Sequence, residues 1–477
     1  MEPWLIVLIV ILSLLLILVM IRTLRFQSSV IPEMKKRHAI DEERIYESLS
    51  QMIQFDTVSY RDTALIKKKP FDDFRSYLKS RYPNIYQVAD YSLHDGAILL
   101  KIKGENHLEP VVLMAHFDVV PVDGTWTHPP FSGHIDETHI HGRGTLDTKN
   151  SLCAIMESVE FLVSHKKTFK RDLYLAFGCD EETHGQTALK IVNHLKEKGI
   201  KPYFVLDEGG AVVSKAFPGV KEKAAVIGIA EKGFLNVRLV GRSQGGHAST
   251  PPKDQVMTNL AKVVTILHRK DPFRLKLTPA AHELFNHIAP YSRSFVIRMF
   301  FANLWLFLPL VKVIAKKSGG SFLASFKTTQ AFTTAQGAQA TNILPPMAYI
   351  GINYRLRPSE HSTDVIKRIS KIASKYDCDV ELVDASEATK TSLVDDTFKV
   401  LQKAILETFT DAIPTPYLMV ATTDSRHYHD ISEHVYKFSP MDVSNADLAL
   451  IHSIDERITK ANMLDAVYFY INLLEQF

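Results

Sequence analysis

The chain opens on an apolar block and then settles into an alternating rhythm. From Trp4 to Ile21, 18 consecutive residues carry no charge, and nearly all are Leu, Ile or Val. Beyond this block, residues 40–53 space their apolar positions as an amphipathic helix that starts near Asp41, and short apolar runs then alternate with amphipathic stretches. Short apolar runs bounded by turn-formers read as strands, and apolar positions recurring every three to four residues read as helices. The pattern predicts strands at Gly96–Ile102, Val111–Ala115, Leu173–Gly178 and Tyr203–Asp207, with helices at Ser151–Ser164 and Thr187–Lys198. Continuous apolar strands interleaved with helices imply an α/β sheet buried on both faces.

A second pattern begins near Gly233. It predicts a strand at Phe234–Gly241, a helix at Met257–Arg269, strands at Thr328–Gln336 and Tyr349–Arg357, a helix at Asp364–Lys375 and a strand at Asp379–Val383. That βαββαβ order fits a ferredoxin-like layer inserted into the first domain. A helix at Thr397–Thr408, a stretch around Val435–Phe438 and a final helix at Lys460–Gln476 return the chain to the first sheet. The expected organisation is an apolar segment with its flank (1–37), an α/β domain in two pieces (38–232 and 389–477) and an insertion (233–388).

The apolar block is long enough to cross a hydrocarbon core of about 30 Å as a helix rising about 1.5 Å per residue. A cleaved signal peptide is the competing reading, but that wants a basic start, a shorter apolar stretch and small residues at the cleavage point. Here the start is Met1-Glu2-Pro3 and the block runs into Arg22-Thr23-Leu24-Arg25, which favours a retained single-pass anchor. Five basic residues (Arg22, Arg25, Lys35, Lys36, Arg37) against one acid (Glu33) follow it, and the positive-inside rule then favours the cytosolic side for the rest. The lack of an N-x-S/T sequon and an odd cysteine count point the same way. A second apolar stretch, Ser294–Ala315, is interrupted by Arg298, Asn303, Pro309 and Lys312 and cannot be a clean span. It reads either as internal packing or as a surface for a membrane or an acyl chain.

Charge and cysteine content narrow the chemistry. Lys and Arg number 56 against 53 Asp and Glu over 477 residues, so nothing suggests a nucleic-acid partner. The three cysteines form no C-x-x-C pair, and any metal site must rest on histidines and carboxylates.

Five segments just beyond strand ends supply such groups, where open α/β sheets place their sites. In Ala115-His116-Phe117-Asp118 the alternation of an extended chain sends His116 and Asp118 to one side. Asp118 is then placed to orient a metal-bound imidazole. Gly142-Arg143-Gly144-Thr145-Leu146-Asp147 leads into a helix, where Asp147 is either an N-terminal cap or a carboxylate bridging two cations. Asp180-Glu181-Glu182 sets three acids in a row, unfavourable without a cation or a retained proton. Asp207-Glu208-Gly209-Gly210 brings carboxylates to a fourth strand end, and Ile451-His452 precedes the last helix. Histidine and carboxylate donors together suit zinc.

These segments, with Trp126-Thr127-His128-Pro129-Pro130-Phe131-Ser132-Gly133 and Gly245-Gly246-His247, occur in one order. From about residue 40 onward the chain resembles the aminoacylase/carboxypeptidase family of two-zinc metallopeptidases, and within it the carboxypeptidase S-like branch that includes N-fatty-acyl-amino-acid synthase/hydrolases. The resemblance implies a zinc-peptidase-like catalytic domain whose insertion is a lid that also forms a homodimer. It implies that Asp147 bridges two zinc ions, one completed by His116 and Glu208, the other by Glu182 and His452, with Asp207 the fallback for Glu208. Glu181 matches the general base, Asp118 the residue supporting His116, and Arg355 an arginine that binds the substrate carboxylate. His247 matches a histidine that reaches a neighbouring subunit's site, and Asn342 a polar neighbour. Thr148, Asn150 and Cys179 depart from the usual Asp, Gly and His at their positions.

The activity implied is hydrolysis, and reverse synthesis, of the amide of N-acyl amino acids by an enzyme anchored in membrane lipid. A carboxypeptidase or dipeptidase on short peptides is the alternative within enzymes, and an inactive metal-binding scaffold the alternative outside them.

Overall fold

A computed structural model describes the chain except residues 1, 27–34, 36, 215, 217–219, 221, 293 and 319. Glu33 and Lys36 of the basic flank therefore lie outside the described residues. Helix α1 (Pro3–Arg25) carries the apolar block. It has the length and composition of a membrane span or a signal sequence, and nearly all its side chains are exposed. Helix α2 (Glu42–Ile53) follows, its first turn capped by the Asp41 carboxylate, which accepts the Arg44 amide.

The large sheet has eight strands. In chain order these are β1 (Asp90–His94), β2 (Ala97–Ile102), β3 (Asn106–His116), β4 (Arg171–Gly178), β5 (Phe204–Val213) and β6 (Lys223–Glu231), joined later by β11 (Ala412–Met419) and β12 (Val435–Val443). Across the sheet they run β1-β2-β4-β3-β5-β12-β6-β11. The centre β4-β3-β5-β12 is parallel and β1 and β2 are antiparallel, so the sheet is mixed. Helix α3 (Lys149–Ser164) and the last helix, Lys460–Leu474, cover one face within the main core, beside α2. Helix α4 (Thr187–Glu197) packs on the other face through Ile191, Val192 and Leu195. Parallel strands covered on both faces explain why β3 and β4 read as continuous apolar runs.

A separate antiparallel sheet is built from β7 (Gly233–Arg242), β8 (Thr329–Gln336), β9 (Met347–Leu356) and β10 (Cys378–Ser386), ordered β8-β9-β7-β10. Helices α5 (Val256–Arg269) and, further on, Ser362–Ala373 pack on it through Leu260, Val263, Val365 and Ile369. The expected βαββαβ order is thus present. Between α5 and β8 the chain adds α6 (Pro279–Ile288), α7 (Phe295–Ala302) and α8 (Leu304–Ser318), none of which the pattern resolved.

Three strands of the large sheet were also not expected. β1 is an edge strand with exposed positions, and β6 is broken by Gly228, so neither gives a plain apolar run. β11 contains Pro414 and Pro416, which argue against a strand, but among the described residues it pairs through β6 alone and lies at the edge, where missing amides cost no ladder bond.

Candidate metal centre

The centre lies at the carboxyl ends of β3 and β4 and beside an irregularity in the middle of β5. His116 is the last residue of β3, and the acidic triplet follows β4 in a short 3-10 turn, Glu181–Thr183. In β5 the register with β12 slips between Asp207 and Gly210. A bulge re-aims side chains: the Asp207 carboxylate accepts the Ser425 amide at 2.9 Å, while Glu208 Oε1 stands 3.3 Å from His116 Nε2.

Asp147 sits between two histidines. Its Oδ1 is 3.1 Å from His116 Nε2 and its Oδ2 is 3.0 Å from His452 Nε2. His452 Nε2 is also 3.2 Å from Glu182 Oε2. Two groups result, His116–Asp147–Glu208 and Asp147–Glu182–His452, each with ligand atoms within 4.8 Å of one another. The cap reading of Asp147 fails, since α3 begins after Thr148 and no side chain caps it.

The surroundings hold these groups in place. His116 Nδ1 donates to the Asp118 carbonyl oxygen at 2.9 Å. The buried Asp118 carboxylate accepts the Ser59 hydroxyl at 2.7 Å and the amides of Glu181 and Glu182, each at 3.2 Å. Glu456 anchors the loop that carries Asp147: it accepts the amides of Gly144 and Leu146, and Arg143 donates to it at 2.6 Å.

The electrostatics call for a cation. Burial pushes Glu208 up to about 8 against the pull of His116. Burial also holds Glu181 well above the carboxylate range, with Glu208, Asp424 and Glu182 adding to it. His452 is raised to about 10 by Asp147 and Glu182. Glu182 Oε1 is buried with no hydrogen-bond partner. Crowded carboxylates that cannot all ionise, one with an orphaned oxygen, beside two imidazoles form a donor set for hard or borderline divalent cations.

The remaining candidates belong to neither group. His247 and Asn342 come together at a two-stranded ladder, where Ala248 donates its amide to the Asn342 carbonyl at 3.0 Å. His247 is exposed, and no described hydrogen bond ties either residue to the two groups. Arg355, on β9, is half-buried, and among the described residues no carboxylate pairs with it. Arg355, Arg426 and Arg61 all act on His184, which follows the acidic turn and is held below the ordinary imidazole value, mainly by burial.

Several supporting residues escaped the sequence reading. Ser59 and Ser425 carry no motif, and their contacts are hundreds or tens of residues away in the chain. Asp424 is buried and raised to about 8, mainly by burial. A Cβ on Gly178 would meet its Oδ2 at 2.6 Å, so the strand ahead of the acidic triplet needs glycine there. Glu456, four residues after His452, escaped as well, since its contacts are with a loop more than 300 residues earlier.

A mixed α/β sheet whose strand ends present two carboxylate–histidine groups defines a metallohydrolase-type centre. The description "Peptidase family M20/M25/M40" matches residues 112–476, and the chain belongs to that family and is a hydrolase. A probable carboxypeptidase S-like protein of Dictyostelium discoideum is 35% identical, over 90% of this chain and 84% of that protein. An N-fatty-acyl-amino acid synthase/hydrolase of Danio rerio is 32% identical, over 91% of this chain and 85% of that protein. Among solved structures, an M20 family metallo-carboxypeptidase from Sulfolobus solfataricus superposes with a TM-score of 0.67 at 19% identity, covering 91% of this chain and 98% of the other.

Proposed function

We propose that the chain is a membrane-anchored, two-zinc amidohydrolase that cleaves, and under mass action re-forms, the amide of N-fatty-acyl amino acids. The observation that carries this reading is Asp147, whose two oxygens face two different histidines. His116 and Glu208 would complete one zinc ion, Glu182 and His452 the other. Two zinc ions held there would supply Lewis acidity toward the scissile carbonyl and would acidify water near neutral pH.

The chain's own residues do the rest. Glu181 directly precedes the candidate ligand Glu182 and belongs to neither donor group, as suits a base that takes a proton from the attacking water and passes it to the leaving nitrogen. Asp118 fixes both His116 and the turn bearing Glu181. Arg355, with which no carboxylate pairs among the described residues, receives the carboxylate of the amino-acid product, for which a guanidinium fork is suited. Residues 233–388 act as the lid and dimerisation domain, and His247 would donate to the developing oxyanion in the partner's site, with Asn342 a polar neighbour.

Relatives named for N-fatty-acyl amino acids support the substrate class, at 32% identity in Danio rerio and 28% in Homo sapiens. A second reading, a carboxypeptidase on short peptides, draws on the 35% identical carboxypeptidase S-like relative. Metal-loaded protein assayed on an N-oleoyl amino acid and on a blocked dipeptide separates them. The proposal expects turnover of the oleoyl amide, and turnover of the peptide alone would replace it with the second reading.

A further inference from the structure

We propose that α7 and α8 form a wedge inserted into the interfacial layer of the bilayer that α1 crosses. The proposal rests on reading α1 as a span, and it adds a second membrane contact made by the hydrolase itself.

Position supports it first. The carboxyl-terminal part of α1 is the only part of that helix with buried residues, Val19 and Thr23, and what buries them is the corner between α7 and α8. Asn303, at that corner, donates to the Thr23 hydroxyl at 3.1 Å, and Arg22 donates to the Ala302 carbonyl at 3.4 Å. Val19 lies about 9 Å before the end of α1 at 1.5 Å per residue. The corner is therefore level with the place where a span leaves the hydrocarbon for the headgroups.

Shape and composition agree. The two helices bend by 107° at this corner, so they cannot continue across the bilayer as one rod. The inward face of α8 carries Leu304, Val311 and Ala315, which pack with Leu284 and Phe285 of α6. Its outward face carries Trp305, Leu310, Val313 and Ile314, each 43–49% exposed, where a water-facing helix would carry polar residues. Phe295 and Val296 extend this surface onto α7. At the far end of α8 the stripe closes in exposed Lys316 and Lys317. An apolar face with an aromatic at one end and lysines at the other is the pattern of a helix lying in the interface plane, sunk about 5–10 Å at the headgroup boundary.

The wedge also reaches the catalytic body. α6, which backs α8, packs onto β11, the edge strand of the large sheet. A bilayer seated on α7 and α8 would bring acyl amides to that edge without passage through water.

Trp4, Trp126 and Trp305 are the three tryptophans of the chain, which makes a depth measurement direct. Full-length protein is reconstituted into phosphatidylcholine vesicles whose acyl chains carry bromine either near the glycerol or near the methyl end. Trp4→Phe with Trp126→Phe leaves Trp305 as the reporter, and Trp126→Phe with Trp305→Phe leaves Trp4. The proposal expects Trp305 emission to be lost more strongly to shallow than to deep bromines, with Trp4 quenched as well. Quenched Trp4 with unquenched Trp305 overturns the wedge and leaves the span intact. Absence of quenching at both positions overturns the span and the wedge together.

Discussion

The Asp118 carboxylate accepts the main-chain amide of Glu181 at 3.2 Å. One buried side chain thereby joins the end of β3 to the turn after β4. The same residue holds His116 twice, its carbonyl accepting Nδ1 at 2.9 Å and its Oδ1 standing 3.4 Å from that nitrogen, so the proposed metal ligand and the proposed base share a support. Asp118→Ala is expected to weaken metal affinity by about 10- to 100-fold and to lower kcat even at saturating metal. Metal titration followed by assay at full loading checks both parts. Unchanged affinity would show that the main-chain carbonyl of residue 118, which alanine keeps, orients His116 without the carboxylate.

Glu181→Gln separates base from ligand. It keeps the shape and removes the proton acceptor, so kcat should fall by about 10²- to 10⁴-fold while bound metal stays at the wild-type level. Mass-spectrometric metal analysis beside a turnover assay reads both. Loss of metal together with activity would make Glu181 a ligand instead.

Arg355 tests substrate recognition. A guanidinium that receives a carboxylate contributes about 1.5–3 kcal/mol, so Arg355→Ala should cost roughly 10- to 100-fold in kcat/KM. The loss should fall mainly on KM and should shrink for substrates whose carboxylate is a methyl ester. An equal loss for acid and ester would place Arg355 outside the carboxylate subsite.

Acid stability turns on Asp172. Burial opposes its charge, but the Gly104 amide at 2.8 Å, Lys101 at 2.9 Å and His107 at 2.8 Å outweigh that and hold its pKa below the ordinary carboxylate value. A depressed native pKa means the unfolded chain binds the proton first, so this contribution is complete above about pH 4, the unfolded value. It is lost as pH falls through the native value. Asp172→Asn should lower Tm at neutral pH, and the gap to wild type should close as pH falls below about 4. A gap that stays constant into acid would mean packing, not charge, sets the difference.

The parts legible in the sequence are those whose signal is local. Leu173–Gly178 is apolar without a break because its strand is covered on both faces, and it is found as Arg171–Gly178. The six elements between Phe234 and Val383 were readable because a half-exposed sheet alternates and its helices are amphipathic. Asp90–His94 and Ala412–Met419 were not, since edge strands need neither full burial nor every amide. The bulge that turns Glu208 one way and Asp207 the other arises from pairing with residues more than 200 positions away, so the choice between them had no local signal. Ser59 was hidden for a related reason: a serine that holds Asp118 looks like any other serine.

The central claim is that Asp147 joins two zinc ions in one centre, and metal content tests it most directly. Protein purified without chelator and analysed by inductively coupled plasma mass spectrometry should carry two zinc ions per chain. Asp147→Asn should lose both, since each candidate group uses one of its oxygens. A single ion per chain, or two that survive Asp147→Asn, would contradict the bridged centre.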